Sequence, residues 1–255
     1  MYLFCWTSDL PLALAFALIA FVYASVGFGG GSSYLALLAV AGWPVAELRF
    51  TALLCNVAVV GGNVRLFLRQ GLLNGRKILP LVVASVPAAF WGGSMRLRDD
   101  TFFLLLGCSL VAAALALWFV PPVRSEEAPP PARPLREAAL GGSIGALSGL
   151  VGIGGGVFLS PLLHLMRWDA AHSIAATASV FILANSLAGL AGQCAHLPAQ
   201  LDVARIALLL GAVWAGGQLG LRFSLRLLSP LQVRRLTALL VLLAGLEVLK
   251  NCLLS

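Results

Sequence analysis

Charge is what this chain has least of. Asp, Glu, Lys and Arg make up 11% of its 255 residues, against roughly a quarter in a soluble domain. Meanwhile 60% of the residues are hydrophobic and the mean hydropathy is +0.96, which excludes an ordinary soluble domain. No Lys, Arg, Asp or Glu is expected at the middle of a long apolar run. No Ser, His and Asp set, no paired carboxylates in one helix and no metal-ligand spacing are found. Neither an enzyme nor a metal or cofactor is therefore expected. The five cysteines, Cys5, Cys55, Cys108, Cys194 and Cys252, lie far apart with no CxxC pair; they indicate no zinc site or disulfide framework and read as small buried hydrophobes. No Lys or Arg precedes the first apolar run, so a cleaved signal peptide describes the start poorly and the first helix is expected to stay. The net charge of +7 would suggest nucleic acid in a soluble protein. Here the basic residues sit in short connections between apolar runs, where orientation on a membrane accounts for them, so no nucleic-acid partner is expected.

What the chain has is apolar length. Runs extend from Leu10 to Val26, Thr51 to Leu68, Ile78 to Met95, Phe102 to Val120, Leu140 to Val151, Ile174 to Gly192, Val203 to Leu221 and Leu236 to Leu249. Most approach the roughly 20 residues a helix needs to cross a bilayer. The reading is an all-α, polytopic integral membrane protein whose first partner is the lipid bilayer.

It also has a glycine pattern that occurs twice. Val26 to Tyr34 reads VGFGGGSSY, and Val151 to Leu159 reads VGIGGGVFL. Gly27, Gly29, Gly30 and Gly31 correspond to Gly152, Gly154, Gly155 and Gly156, each 125 residues on. The echo continues. Trp43 matches Trp168, Thr51 and Ala52 match Thr177 and Ala178 with one extra residue, and Trp91-Gly92-Gly93 stands opposite Ala215-Gly216-Gly217. Between the halves runs PPVRSEEAPPPARP, Pro121 to Pro134, whose prolines forbid a continuing helix and whose charges exclude it from hydrocarbon. The expected organisation is a transmembrane repeat over 1–120, a cytoplasmic Pro-rich linker over 121–136, and a second transmembrane repeat over 137–255.

A run of glycines costs a helix about 1 kcal/mol per residue, so each stretch should break one helix and begin another. Each half then reads as an apolar helix, the break, a short helix and three longer helices. The short segments, Ser32 to Ala41 and Val157 to Met166, would rise only about 15 Å, half of a bilayer core. Gly141, Gly145 and Gly149, and Ala212, Gly216 and Gly220, fall at four-residue intervals suited to close helix packing. An odd number of crossings per half makes the two repeats inverted in topology. With the amino terminus outside, Arg65, Arg69, Arg76, Lys77, Arg124, Arg133, Arg136, Arg167, Arg222, Arg226, Arg234 and Arg235 fall on one side. That is 12 of the 17 basic residues. Arg49, Arg96, Arg98, Arg205 and Lys250 fall on the other. The richer side, with the linker, is expected to be cytoplasmic and both termini periplasmic.

Inverted repeats with matched breaks point to a substrate site near the bilayer midplane. A helix N-terminus at each break offers unpaired N–H groups and about half a positive charge, which suits an anion. The alternative that the glycines only let helices pack is weakened by their duplication at matched spacing. A phosphate or dinucleotide loop fails because Gly27-x-Gly29-x-x-Ser32 lacks its third glycine and no lysine follows. The candidate site residues are Gly27, Gly29, Gly30, Gly31, Ser32, Ser33, Thr51 and Asn56 in the first half. In the second they are Gly152, Gly154, Gly155, Gly156, Thr177, Ser179 and Asn185. Asn63, Ser186 and Gln193 are further scarce polar residues in apolar helices, each open to a packing role as interhelical glue. His164 is the one midsegment candidate for a proton relay, against the alternative of a hydrogen-bonded structural histidine.

The doubled helix-GxGGG-short helix unit, the threonine after each, and the GG motif in the following helices resemble the sulfite exporter TauE/SafE family over nearly the full chain. That resemblance implies a bacterial inner-membrane secondary transporter of small anions such as sulfite, sulfonates or sulfoacetate, usually moving them outward. The second repeat departs from the first at Val157, where the first has Ser32. Rival readings are an anion channel on the same helix ends and a membrane scaffold without a permeant. The sequence leaves a homo-oligomer open.

Overall fold

The computed structural model describes residues 6–25, 27–95, 97–119, 133–194 and 201–223, together with positions 235, 238–239, 241–243, 245–246 and 248–250. Val26, Arg96, the linker as far as residue 132, Arg124, Arg226, Arg234, Cys5 and Cys252 lie outside the described residues. The described chain is helical: α1 (Trp6–Ala24), α2 (Gly31–Val40), α3 (Val45–Arg69), α4 (Gly75–Ser94), α5 (Asp99–Phe119), α6 (Pro134–Val151), α7 (Gly156–Leu165), α8 (Ala171–Gln193) and α9 (Val203–Phe223). The described positions from 235 to 250 are helical as well. Among the described residues five helices, α3, α4, α5, α8 and α9, are long and apolar enough to cross a membrane. Residues 134–136, expected in the linker, instead form the first turn of α6, because proline is tolerated at the first helical position where no N–H is needed.

The element order repeats. A long helix, a glycine break, a ten-residue helix and longer helices appear in each half, and the packing repeats with them. α4 packs on α6 as α9 packs on α1; α4 meets α8 as α9 meets α3; α2 lies on α3 as α7 lies on α8. α3 and α8 pack on each other. The four-residue glycine stripes make these contacts backbone to backbone. A Cβ on Gly141, Gly145 or Gly149 would collide with the carbonyls of Leu81, Ser85 and Ala89 on α4. One on Gly216 or Gly220 would collide with those of Ala17 and Phe21 on α1. The constant offset within each set makes both helix pairs parallel.

Apolar residues divide between interior and periphery. Ala13, Phe16, Ala20 and Tyr23 of α1 are buried, while Leu10, Leu14 and Leu18 are exposed, as a lipid-facing surface requires. A second core cluster joins Ile78 and Leu81 of α4, Ile144 of α6, Leu159 and Leu163 of α7, and Ile174 and Phe181 of α8.

Each long helix and its short partner form an antiparallel hairpin whose open ends are tied together. Arg205, at the start of α9, donates through Nε to Asp9 of α1 at 2.6 Å and lies 5.0 Å over the Trp43 ring that precedes α3. At the second half's hairpin, Lys77 at the start of α4 pairs with Asp169 at 2.8 Å and lies 5.2 Å over Trp168. Trp168 Nε1 in turn donates to Glu137 of α6 at 2.9 Å. The two clamps sit at opposite ends of α3, and each closes one half's hairpin with a cation from the other half.

Candidate functional site

The breaks are built by left-handed glycines. α1 ends through Gly27 at φ +87°, with Phe28 N–H donating back to Tyr23 O, and α6 ends through Gly152 at φ +84°. Gly30 at φ +89° and Gly155 at φ +82° are the N-caps of α2 and α7. Gly154 shares the left-handed conformation at φ +85°. An L side chain in this region costs roughly 1–2 kcal/mol, so five of the eight repeated glycines are set by backbone conformation. Gly29, Gly31 and Gly156 are glycine for space. A Cβ on either of the first two would run into the Asn56 amide, and one on Gly156 into Ile182.

The two breaks meet one another. A Cβ on Gly31 would lie 2.7 Å from Ile153 O, and one on Gly156 would lie 3.6 Å from the Phe28 ring. Both sit against the middles of α3 and α8, at Asn56 and Ile182 respectively. Asn56 is fully buried and spans both: its Nδ2 donates to Ile153 O at 2.9 Å while its Oδ1, without a partner, lies against Gly29. Its counterpart by the repeat is Ile182, so the two halves of the centre are not chemically equal. The first-turn N–H groups of Gly31 and Ser32, and of Gly156 and Val157, have no carbonyl a turn earlier in their own helices. Four such donors and two positive helix ends converge in a buried place, the arrangement that favours an anion.

The remaining site residues divide by what their polar atoms already bind. Ser33 Oγ is 2.9 Å and Ser32 Oγ 3.4 Å from the hydroxyl of Tyr23, a fully buried residue with no sequence signal to reveal it. Thr51 is buried with its hydroxyl unpartnered, whereas Thr177 donates to Ser173 O of its own helix at 2.8 Å. Ser179 Oγ lies between Gly27 O and Ala175 O, and Asn63 donates to Phe28 O at 3.4 Å, so both tie down carbonyls of the first break. Asn185 is buried with neither amide atom partnered. Ser186 Oγ, also unpartnered, faces Gly154 beside Asn56. His164 is half-buried in the last turn of α7, away from the break.

Arg49 is the residue that reading by hydropathy misplaces. Counted among connecting basic residues and left outside an apolar run beginning at Thr51, it lies within α3 at 5% exposure. Glu137 is buried likewise, in the first turn of α6, with Oε2 unpartnered. Among the described residues no group of three or more His, Cys, Asp or Glu could hold a metal ion.

Clamped hairpins, facing glycine breaks and five apolar spans define a multi-pass membrane protein with a buried polar centre, the class to which membrane transporters belong. The chain belongs to the sulfite exporter TauE/SafE family, whose sequence profile matches residues 12–248. It is 35% identical over 246 residues to "Probable membrane transporter protein y4hK" of Sinorhizobium fredii (strain NBRC 101917 / NGR234), covering 95% of this chain and 99% of that one. No solved structure matches it.

Proposed function

We propose that this membrane transporter is a secondary transporter of small anions, exporting sulfite, sulfonates or related sulfur oxyanions across the inner membrane by alternating access. The observation that carries this reading is the meeting of the two glycine breaks at the middles of α3 and α8. It directs two helix N-termini and unpaired N–H groups at one buried place. Membership of the sulfite exporter family supports the choice of anion. Each hairpin returns to the end it started from, because Arg205 holds Asp9 and Trp43 together and Lys77 gathers Trp168 and Asp169. A re-entrant hairpin adds no crossing, so α3, α4 and α5 carry the first half across three times; with the apolar run Leu236 to Leu249 following α8 and α9 as the sequence repeat requires, the second half does the same and is inverted relative to the first. The basic residues then orient both termini toward the periplasm. The anion sits between Gly27 to Ser33 and Gly152 to Val157, with the two clamps at opposite membrane faces. The test is sulfite tolerance and efflux in cells that lack their own exporter. Expression of this chain should speed sulfite efflux, sulfoacetate and other sulfonates being tried in parallel. Efflux equal to that of the empty vector for every sulfur oxyanion would overturn the reading.

A further inference from the structure

A broken helix has two ends of opposite sign, and an anion placed in the break feels both. At the second break the N-terminus of α7 attracts it, while the C-terminus of α6, a few residues away, repels it with about half a negative charge. The structure treats the two breaks differently here. In the first, the carbonyls of Gly27 and Phe28 are held by neutral donors, Ser179 and Asn63. In the second, the end of α6 is met by a cation. Arg49 Nη2 donates to Gly149 O at 2.8 Å, and its aliphatic stem lies against Gly152, where a Cβ would be 3.3 Å from Arg49 Cβ and Cγ.

The same guanidinium reaches the C-terminal carbonyls of α4, at 3.4 Å to Gly93, 3.5 Å to Gly92 and 3.3 Å to Met95, and stands 5.9 Å over the Phe102 ring. No carboxylate pairs with it among the described residues, and its buried Nε has no partner. The repeat places Ile174 and Ala175 at the corresponding position of α8, so the other half has no equivalent charge. A buried cation with a free N–H beside a glycine break has room for one more acceptor.

We propose that Arg49 makes the second break the primary anion half-site, by cancelling the negative end of α6 and offering Nε–H to the bound anion. This rests on the anion-transport reading above. Uncovering half a negative charge about 5 Å from an anion, at an effective dielectric constant of about 20, lowers affinity roughly tenfold.

Purified full-length protein and the variants Arg49→Lys, Arg49→Gln and Arg49→Met are titrated with sulfite, and in parallel with sulfoacetate, following the ligand-induced rise in melting temperature. The expected result is a loss of affinity of roughly tenfold or more in the Gln and Met variants, with Arg49→Lys recovering most of it because the charge is kept. Should the neutral variants fail to fold, wild-type protein carrying 15N-arginine decides. The Nε resonance that is missing from Arg49→Lys should move as sulfite is added. Neutral variants that bind like wild type, or an Nε resonance that stays fixed while wild type is stabilised by sulfite, would overturn the assignment and leave Arg49 a connector of helix ends. Wild type stabilised by neither anion would instead overturn the transport reading itself, and this inference with it.

Discussion

Asn56→Asp is an isosteric probe of the centre, because it exchanges an amide for a carboxylate without changing its shape. Asn56 is fully buried, donates to Ile153 O, and lies against Gly29, Gly31 and Gly154. An ionised Asp there loses the donor to Ile153 O and puts a negative charge about 5 Å from an anion held between the breaks. At an effective dielectric constant of about 20 that repulsion is roughly 3 kcal/mol, more than a hundredfold in affinity. Asn56→Ala separates the two effects, since it also loses the Ile153 bond but adds no charge; its cost is the roughly 1–3 kcal/mol of an unsatisfied carbonyl, taken from stability. When protonated the acid is neutral and can donate to Ile153 O again; when ionised its charge repels the anion. The affinity of Asn56→Asp relative to wild type should therefore recover as pH falls and collapse as pH rises. The assay is the sulfite-induced thermal shift, with each variant divided by wild type at the same pH because sulfite itself titrates. An Asn56→Asp protein that binds as wild type at every pH would place the anion away from the meeting of the breaks.

Four further outcomes follow from the same geometry. Gly30→Ala and Gly155→Ala each force a side chain into the left-handed region, at roughly 1–2 kcal/mol, and bring its Cβ to 2.9 Å from the Tyr34 ring and 2.8 Å from Phe181, which must shift; against a total stability of about 5–15 kcal/mol folded protein should persist while the sulfite-induced shift disappears, and a full shift in either variant removes that break from the site. Thr51→Val should lose affinity by roughly tenfold to a hundredfold, since its hydroxyl is free for an anion, whereas Thr177→Val should lose little because that proton already goes to Ser173 O. Titration of both variants checks this, and the reverse order would contradict it. Lys77→Met and Arg205→Met should alter the rate of exchange while leaving sulfite affinity near the wild-type value, because each opens a clamp far from the breaks; unchanged rates in both would make the clamps passive. A cysteine at Ser125, in the central linker, should escape an impermeant thiol reagent added to intact cells, and labelling from outside would reverse the orientation.

Glycine carried most of what could be read from the sequence. Its spacing revealed both breaks, and the stripes Gly141, Gly145, Gly149 and Gly216, Gly220 revealed the faces on which α6 meets α4 and α9 meets α1, since only a missing Cβ permits such contact. Most helix ends were read to within about four residues from apolar length, but α3 and α6 begin six residues before the runs at Thr51 and Leu140, because charged Glu47, Arg49, Arg136 and Glu137 lie at their starts. What stayed hidden depends on partners distant in the chain. Asp9 meets Arg205, Trp168 meets Glu137 and Arg49 meets Gly149 through contacts 196, 31 and 100 residues apart. Periodicity does not betray such pairs in a membrane protein, because lipid-facing Leu14 and buried Phe16 are equally apolar and no polar face marks the outside. Arg49 was hidden by its own charge, which assigns it to a connection unless the helix-end carbonyls that accommodate it are known.

The central claim, that an anion is carried between the two breaks by alternating access, is tested most directly by counterflow in proteoliposomes. Vesicles containing the purified protein are loaded with unlabelled sulfite, and uptake of labelled sulfite is followed alongside membrane current. A carrier with one central site exposed to each side in turn should show uptake accelerated by the internal anion, and the acceleration should vanish in Gly155→Ala. Current that flows without any such acceleration would indicate a channel on the same helix ends, and the absence of both flux and current would leave the paired glycines as packing alone.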